Sequence, residues 1–272
     1  LDFIRNLRQK DNITLSGIYY GMLDISGELG YAPVVDLKPF FALTDWSRGV
    51  HNFINYGNLN LIAELFPEGE IKAILYEMSQ LTNLNHIKRF RKKMDRLRQL
   101  LQEEGNETFN FPLFNYVKPH LERMLDRFKG ISNDAEFQFR LAEWYFDNKM
   151  YANGYICLAE SMVTCLTYIY SKVDHKVQVD RRSSRDRVKL IFDQLTSSQD
   201  EHYKKVGELY NTVKEIRNNV AHAGYLSNAS HEEDIINIPR YLRLANELFF
   251  NPAAMNKLAT LPEKYPLPEL NK

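Results

Sequence analysis

The chain has 272 residues, of which 35 are Lys or Arg and 35 are Asp or Glu, so its formal net charge at pH 7 is zero. This balance excludes a protein that binds nucleic acid through a high overall positive charge, and any such binding would need basic residues clustered locally. The two cysteines, Cys157 and Cys165, are too few for a disulfide framework, and their spacing of eight predicts two buried thiols on one helix face in a reducing cytoplasm.

Long apolar runs are absent from the sequence. The most apolar stretch, residues 155–170, is interrupted by Glu160 and is too short for a membrane span, so we expect no membrane partner. The chain begins at Leu1 rather than Met, and we expect it to be part of a longer protein.

The first elements in chain order predict a small α/β segment. Residues 1–10 have the pattern of the end of a helix, residues 13–23 are rich in the β-branched and aromatic residues of a strand, and residues 28–37 favour a second extended piece. The pattern changes near Asp36, where a helical period of apolar residues begins and runs to Gly57. We therefore expect a domain boundary near Asp36.

The rest of the chain predicts a large α-helical domain. Helical patterns follow at 58–66, at 70–103 as one long charged helix, and at about 119–129, 133–148, 151–171, 184–196, 201–222 and 239–250. The tail with Pro262, Pro266 and Pro268 predicts irregular structure. The predicted fold class is mainly α, with residues 1–35 as a short α/β segment and residues 36–272 as the helical domain.

The end of the helix predicted over residues 201–222 carries the most informative residues. Its apolar stripe consists of Val206, Leu209, Val213, Ile216 and Val220. Arg217 lies at the edge of this stripe, and His222 lies about 140° further round the helix, so their side chains do not converge on one straight helix. Asn218 shares a face with His222. Gly224 predicts the helix end, which places His222 in the last turn.

These residue types suit RNA cleavage without a metal ion. A ribose 2′-OH attacks the adjacent phosphorus, and the reaction needs a proton carrier and a positive charge for the phosphoryl oxygens. Histidine can move the proton, and arginine can hold the phosphate with two hydrogen bonds. Two such helices paired about a two-fold axis would form sites that draw on both chains. The alternative is an arginine lying along the stripe edge and a histidine that caps its own helix.

The stretch RNNVAH, residues 217–222, resembles the R-polar-x3-H motif of HEPN domains, a family of α-helical ribonucleases and RNA-binding modules. GIYYGMLDI (17–25), followed by APVVDLKPFFALTDWSRGVHNFINYGN (32–58), is similar to the junction in CRISPR-associated CARF–HEPN proteins whose sensor carries a D-x-T-H-G motif. The resemblance implies that residues 1–35 are the C-terminal remnant of a CARF (Rossmann-like) sensor domain. It implies an HEPN core at about residues 133–250.

The resemblance implies a homodimeric endoribonuclease of type III CRISPR defence. Such an enzyme cleaves single-stranded RNA without metal, at a composite site across the HEPN dimer. The resemblance gives catalytic roles to Arg217, Asn218 and His222, with no cofactor, and implies activation by cyclic oligoadenylate bound to the CARF domain. The D-x-T-H-G motif is absent from this sequence, so the activator site is expected largely outside the chain.

Other basic and aromatic residues are weaker candidates for RNA contact. Arg181, Arg182 and Arg185 precede or open a predicted helix, and Tyr225 could stack on a base. The basic stretch 88–98 could guide an RNA backbone, but it is more typical of the solvated face of a charged helix.

Two other functions stay open at this point. The first is a non-catalytic HEPN module that binds RNA or serves for dimerisation, and the second is a toxin-like HEPN nuclease with a neutralising partner. The histidines show no metal-ligand spacing, so no metal site is predicted.

Overall fold

The structure, a computed structural model, describes residues 16–103, 114–222 and 231–269. It is 75% helical with one small sheet, which confirms the predicted mainly α fold with a short α/β segment at the N-terminus. The helix end predicted over residues 1–10 lies outside the described residues, as does the first part of the predicted strand.

The α/β segment is a two-stranded antiparallel ribbon. Strand β1 (Tyr19–Gly21) pairs with β2 (Val34–Asp36), and the first residue of β1 lies opposite the last residue of β2. The second strand confirms the predicted extended piece. The first strand is shorter than predicted, because the chain turns after Gly21 into a 3₁₀ turn (Leu23–Ile25) and the short helix α1 (Ser26–Leu29). All six strand residues are exposed.

Four helices follow the ribbon. They are α2 (Lys38–Tyr56), α3 (Asn60–Leu65), α4 (Glu70–Asn83) and α5 (Ile87–Gln102). Helix α2 ends as predicted at Gly57, whose φ of 63° is a left-handed conformation that glycine adopts without strain.

The prediction of a single helix over residues 70–103 is wrong, because this part of the chain forms the two helices α4 and α5. The chain reverses between α4 and α5 through Asn85, whose φ of 55° is tolerated by asparagine better than by most residues. Both helices carry buried apolar stripes, and these stripes pack against each other. One straight helix would have separated the stripes and left apolar surface in water, so tertiary packing decided this break.

Five longer helices form the middle of the chain. They are α6 (Phe114–Asp126), α7 (Asp134–Asp147), α8 (Tyr151–Val173), α9 (Arg182–Leu195) and α10 (Glu201–Ala221). Helices α7 to α10 match predicted helices to within two residues at each end, whereas α6 begins five residues before its predicted start at about residue 119.

Helix α8 is the centre of this group. Most of its residues are buried, and α7, α9 and α10 pack on it. Helix α10 meets α9 closely at Gly207, where a Cβ would lie 2.7 Å from the carbonyl oxygen of Phe192 and 2.7 Å from the amide nitrogen of Thr196. Cys157 and Cys165 are free and buried on α8, as predicted, and burial raises the pKa of the Cys165 thiol to about 12.

The C-terminal part is more helical than predicted. Helices α11 (His231–Ile236) and α12 (Ile238–Ala245) lead into a π-helical turn (Asn246–Phe250), followed by α13 (Pro252–Leu258) and α14 (Leu261–Lys264). The prediction of an irregular tail is therefore wrong for residues 261–264, which form α14. Proline lies in the first turn of each of these last two helices, where its missing N–H costs no hydrogen bond.

One hydrophobic core joins the helices. It extends from Trp46 on α2 to Leu261 on α14, and it includes Trp144 on α7. Among the described residues, no helix combines the length and the apolar character that a membrane crossing requires.

Candidate functional site

The candidate site lies at the C-terminal end of α10. The helix begins at Asp200, whose carboxylate accepts hydrogen bonds from the backbone N–H groups of His202 (2.9 Å) and Tyr203 (3.4 Å). Four of the five residues in the predicted apolar stripe are buried, but Val220 is 40% exposed. The last turn of α10 therefore extends beyond the core and presents its side chains at the surface.

Within this turn, Arg217 faces the protein and His222 faces outward. Nη2 of Arg217 lies 3.1 Å from Oε1 of Glu160 on α8, and Nη1 donates a hydrogen bond to Oδ1 of Asn218 at 3.1 Å. His222 directly follows the last helical residue and is exposed, and its backbone N–H donates to the Asn218 carbonyl at 2.9 Å. The structure thus brings Arg217 and Asn218 together and leaves the His222 side chain apart. Gly224 lies outside the described residues.

Glu160 binds a second arginine with its other oxygen. Its Oε2 lies 2.5 Å from Nη2 of Arg185 on α9, and Nη1 of Arg185 donates to Oγ1 of Thr164 (3.0 Å) and to the carbonyl of Val179 (3.1 Å). The exposed fractions of the Glu160, Arg185 and Arg217 side chains are 26%, 17% and 31%. We call these three residues the Glu160 anchor. It ties α8, α9 and α10 together and fixes where the Arg217 guanidinium can lie.

Sequence reasoning noted Glu160 only as an interruption of an apolar stretch. A charged residue surrounded by apolar residues on a buried helix needs a partner of opposite charge, because an isolated buried charge is very costly. That rule is a signal that could have predicted a basic partner for Glu160, although the prediction was not made. It could not say which, because Arg185 and Arg217 lie 25 and 57 residues further along the chain.

The weaker RNA-contact candidates fall into two groups. Arg181 and Arg182 are exposed at the start of α9, and Arg182 makes a long ion pair, at 3.6 Å, with Asp186. Arg185 points inward and belongs to the Glu160 anchor. Tyr225 lies outside the described residues. The exposed basic groups nearest in sequence to the anchor are therefore Arg181 and Arg182.

The basic stretch on α5 is largely neutralised within the chain. Its ion pairs are Arg91–Asp134 (2.8 Å), Lys93–Glu77 (2.6 Å), Arg96–Glu70 (2.7 Å) and Arg98–Asp95 (2.9 Å). This pattern supports the interpretation of α5 as a charged face that serves the fold.

Other titratable groups near the anchor are held in one protonation state. Burial raises the pKa of Tyr210, and the negative charge of Glu160 raises it further, so this hydroxyl stays protonated at neutral pH and cannot act as a base there. Across residues 16–103, 114–222 and 231–269, no three His, Cys, Asp or Glu side chains form a group that could hold a metal ion.

Two comparisons bear on the identity of the chain. Residues 42–133 match the sequence profile of the second domain of CRISPR-associated protein MJ1674. The chain is also 34% identical over 255 residues to CRISPR-associated protein MJ1674 of Methanocaldococcus jannaschii, an alignment that covers 90% of this chain. Together these matches show that the chain is similar, over most of its own length, to CRISPR-associated protein MJ1674.

The similarity extends over only part of the M. jannaschii protein. The chain spans about 38% of the length of the M. jannaschii protein. The profile match begins within α2 and ends just before α7, so it covers the helices that precede the Glu160 anchor.

Proposed function

We propose that the chain is the effector part of a metal-independent endoribonuclease in CRISPR antiviral defence. Its substrate is single-stranded RNA, and Arg217, Asn218 and His222 act at a composite site formed by two copies of the chain. In the full-length protein, cyclic oligoadenylate bound to a CARF domain activates the nuclease. The family match supports the role in CRISPR defence. The geometry of the last turn of α10 supports the chemistry.

One observation carries the proposal: a positioned guanidinium and an exposed imidazole lie five residues apart at the C-terminal end of α10. Arg217 is held by Glu160 and Asn218, so little side-chain entropy is lost when it binds phosphate. His222 is exposed at the helix end, free to approach a substrate or a second chain. These are the two groups that metal-free cleavage of RNA requires.

The proposed reaction is an in-line displacement at phosphorus. The 2′ oxygen forms a bond to the adjacent phosphorus while the bond from phosphorus to the 5′ oxygen breaks, which gives a 2′,3′-cyclic phosphate and a 5′-hydroxyl. His222 takes the proton from the 2′-OH and returns a proton to the departing 5′ oxygen. Arg217 donates hydrogen bonds to the phosphoryl oxygens as charge builds up on them. The amide of Asn218 fixes the plane of the guanidinium.

A second copy of the chain explains how the two groups meet. Within one chain, Arg217 and His222 are separated by about 140° around the helix axis. A two-fold axis near the exposed Val220 would bring the His222 of one protomer toward the Arg217 of its partner. Each dimer would then contain symmetric composite positions for the scissile phosphate.

The decisive experiment compares His222→Ala with His175→Ala, a second exposed histidine at the start of the α8–α9 connection. With unstructured RNA as substrate, His222→Ala is expected to lower cleavage at least a hundredfold, the usual contribution of general acid–base catalysis being about 10²–10⁴-fold. His175→Ala is expected to cleave as the wild type does. A chelator should have no effect, and a 2′-deoxy linkage at the cut site should block the reaction. Undiminished cleavage by His222→Ala would refute the catalytic assignment.

The contacts of Arg217 favour one alternative function. An arginine already paired with a carboxylate in its own chain can be a purely structural residue, as expected of a non-catalytic HEPN module that binds RNA or dimerises. Such a module would bind RNA without cutting it. In that case, wild type and His222→Ala would show equal RNA binding and no product.

A further inference from the structure

A cleft of about 360 Å³ adjoins the Glu160 anchor. Its walls are the turn before α5, the first turns of α5 and of α7, the middle of α8 and residues from the 179–185 segment. Its volume falls within the range of small-ligand sites, about 300–1,000 Å³. Apolar groups form much of the lining, including Ile87, Phe137 and Ile156. These flat and branched side chains are suited to packing against a planar ring.

Two amide side chains of the lining have unused hydrogen-bonding groups. Nδ2 of Asn85 and Oε1 of Gln138 are buried and have no hydrogen-bond partner. The other amide atom of Asn85, Oδ1, accepts a hydrogen bond from Sγ of Cys157 at 3.3 Å. Leaving a buried amide group unsatisfied is costly, so a ligand that pairs with both groups gains affinity. The terminal torsion of an amide is soft, so each side chain can adjust to a bound ligand.

The mouth of the cleft carries one loosely held positive charge. Nζ of Lys88 lies 3.6 Å from Oδ2 of Asp180, and the two side chains are 70% and 71% exposed. An ion pair this exposed is worth little, so an anion can replace Asp180 as the partner of Lys88. Arg91 is not comparably free, because it binds Asp134 and the Ile131 carbonyl.

The inner end of the cleft is the anchor itself. Glu160 and Arg185 line the cleft, and Glu160 also holds Arg217. The cleft is therefore joined to the candidate catalytic residue Arg217 through one shared carboxylate, with the Arg217–Glu160 contact at 3.1 Å.

We propose that this cleft binds one nucleotide of the RNA substrate, next to the scissile linkage. The base lies between the apolar walls. A donor on the edge of the base pairs with Oε1 of Gln138, and an acceptor on that edge pairs with Nδ2 of Asn85. Its phosphate lies at Lys88. This inference rests on the proposed function, and it adds a subsite that selects RNA by the hydrogen-bonding edge of one base.

The test measures binding of uncleavable RNA. The probes are fluorescent ten-nucleotide RNAs of adenosine, of cytidine and of uridine, 2′-O-methylated at each ribose, and the assay is fluorescence anisotropy. Gln138→Leu keeps the side-chain volume and removes the unpaired oxygen. It is expected to weaken binding of the preferred RNA roughly five- to tenfold, the equivalent of about one hydrogen bond. Because the variant removes an unsatisfied polar atom, its melting temperature should not fall.

A matched pair of lysine variants isolates the mouth of the cleft. Lys88→Ala and Lys92→Ala remove the same charge from α5 one turn apart, and both lysines are exposed. Both variants weaken the general attraction of RNA to positive charge equally. Lys88→Ala also removes the proposed contact with the phosphate, so it is expected to bind RNA roughly threefold or more weakly than Lys92→Ala does. The proposal is overturned by equal affinities of Lys88→Ala and Lys92→Ala, by wild-type affinity of Gln138→Leu, or by no measurable binding to the wild type.

The outcome is independent of catalysis. Methylated RNA lacks the nucleophile. A full-length wild type that binds it through Gln138 but never cuts ordinary RNA, even with cyclic oligoadenylate present, would therefore disprove the nuclease and keep the subsite. A wild type that cuts ordinary RNA while Gln138→Leu binds normally would disprove the subsite alone.

Discussion

Replacing Glu160 by glutamine tests the anchor that positions Arg217. The change keeps the size of the side chain but removes the charge that two arginines share. Removing one partner of a fully buried ion pair costs about 3–5 kcal/mol, whereas exposed pairs contribute about 0–1 kcal/mol. The three side chains are 17–31% exposed, between these limits. We therefore expect a loss of about 2–3 kcal/mol in the free energy of unfolding.

The control for this variant is Glu143→Gln on α7. Glu143 has the same exposed fraction, 26%, but it meets a single arginine, Arg140, three residues away on the same helix. Its loss should cost less than about 1 kcal/mol. For a chain of this size, about 2–4 °C of melting temperature corresponds to 1 kcal/mol. In calorimetry we expect Glu160→Gln to melt roughly 4–12 °C below the wild type and Glu143→Gln to stay within about 4 °C of it.

Equal melting temperatures for the two glutamine variants would show that Glu160 is not an anchor. A double variant that adds Arg185→Met to Glu160→Gln sharpens the test. If the two side chains interact as the structure shows, the double variant should lose less stability than the sum of the two single losses. Strict additivity would contradict the 2.5 Å contact between Glu160 and Arg185.

Two further variants test α10 itself. Gly207→Ala places a methyl group 2.7 Å from backbone atoms of α9 and should cost about 1–3 kcal/mol in urea unfolding, while Gly27→Ala, which meets nothing within 4 Å, should leave stability unchanged or slightly higher. Asp200→Ala should cost about 1 kcal/mol at neutral pH through loss of the helix cap. The hydrogen bond from Lys257 and those from the backbone lower the pKa of Asp200, so this contribution is complete above its ordinary value of 3.8. It is lost as the pH falls through the lower pKa of the folded state, so the unfolding free energies of wild type and Asp200→Ala should converge at acid pH. Urea titrations in which the difference between the two proteins persists at acid pH would contradict the assignment.

Much of the helical architecture follows from the sequence alone. Apolar periodicity located the helices of the middle of the chain, and Gly57 marked the end of α2, because these patterns depend on residues close together in sequence. The break at Asn85 was missed for the opposite reason. Residues 70–103 have a continuous helical period, and only the gain from packing α4 against α5 makes the reversal favourable.

The candidate site also has a part that was predicted from the sequence and a part that only the structure shows. The motif residues Arg217, Asn218 and His222 were found from their spacing, and the spacing also indicated that Arg217 and His222 diverge. The partner of Arg217 could not be found like this. Ion pairs between helices depend on which helices become neighbours, and that choice is made by burial of the whole core.

The sequence by itself therefore determined the helical class of this protein and the place of its candidate catalytic residues. Only the tertiary structure decided that Glu160 holds Arg185 and Arg217 at once, and that a cleft lined by Asn85 and Gln138 adjoins this anchor. The physical reason is the sequence separation over which each kind of interaction acts. Helical periodicity acts over a few residues, whereas these contacts join residues far apart in sequence that meet only after α8 is buried.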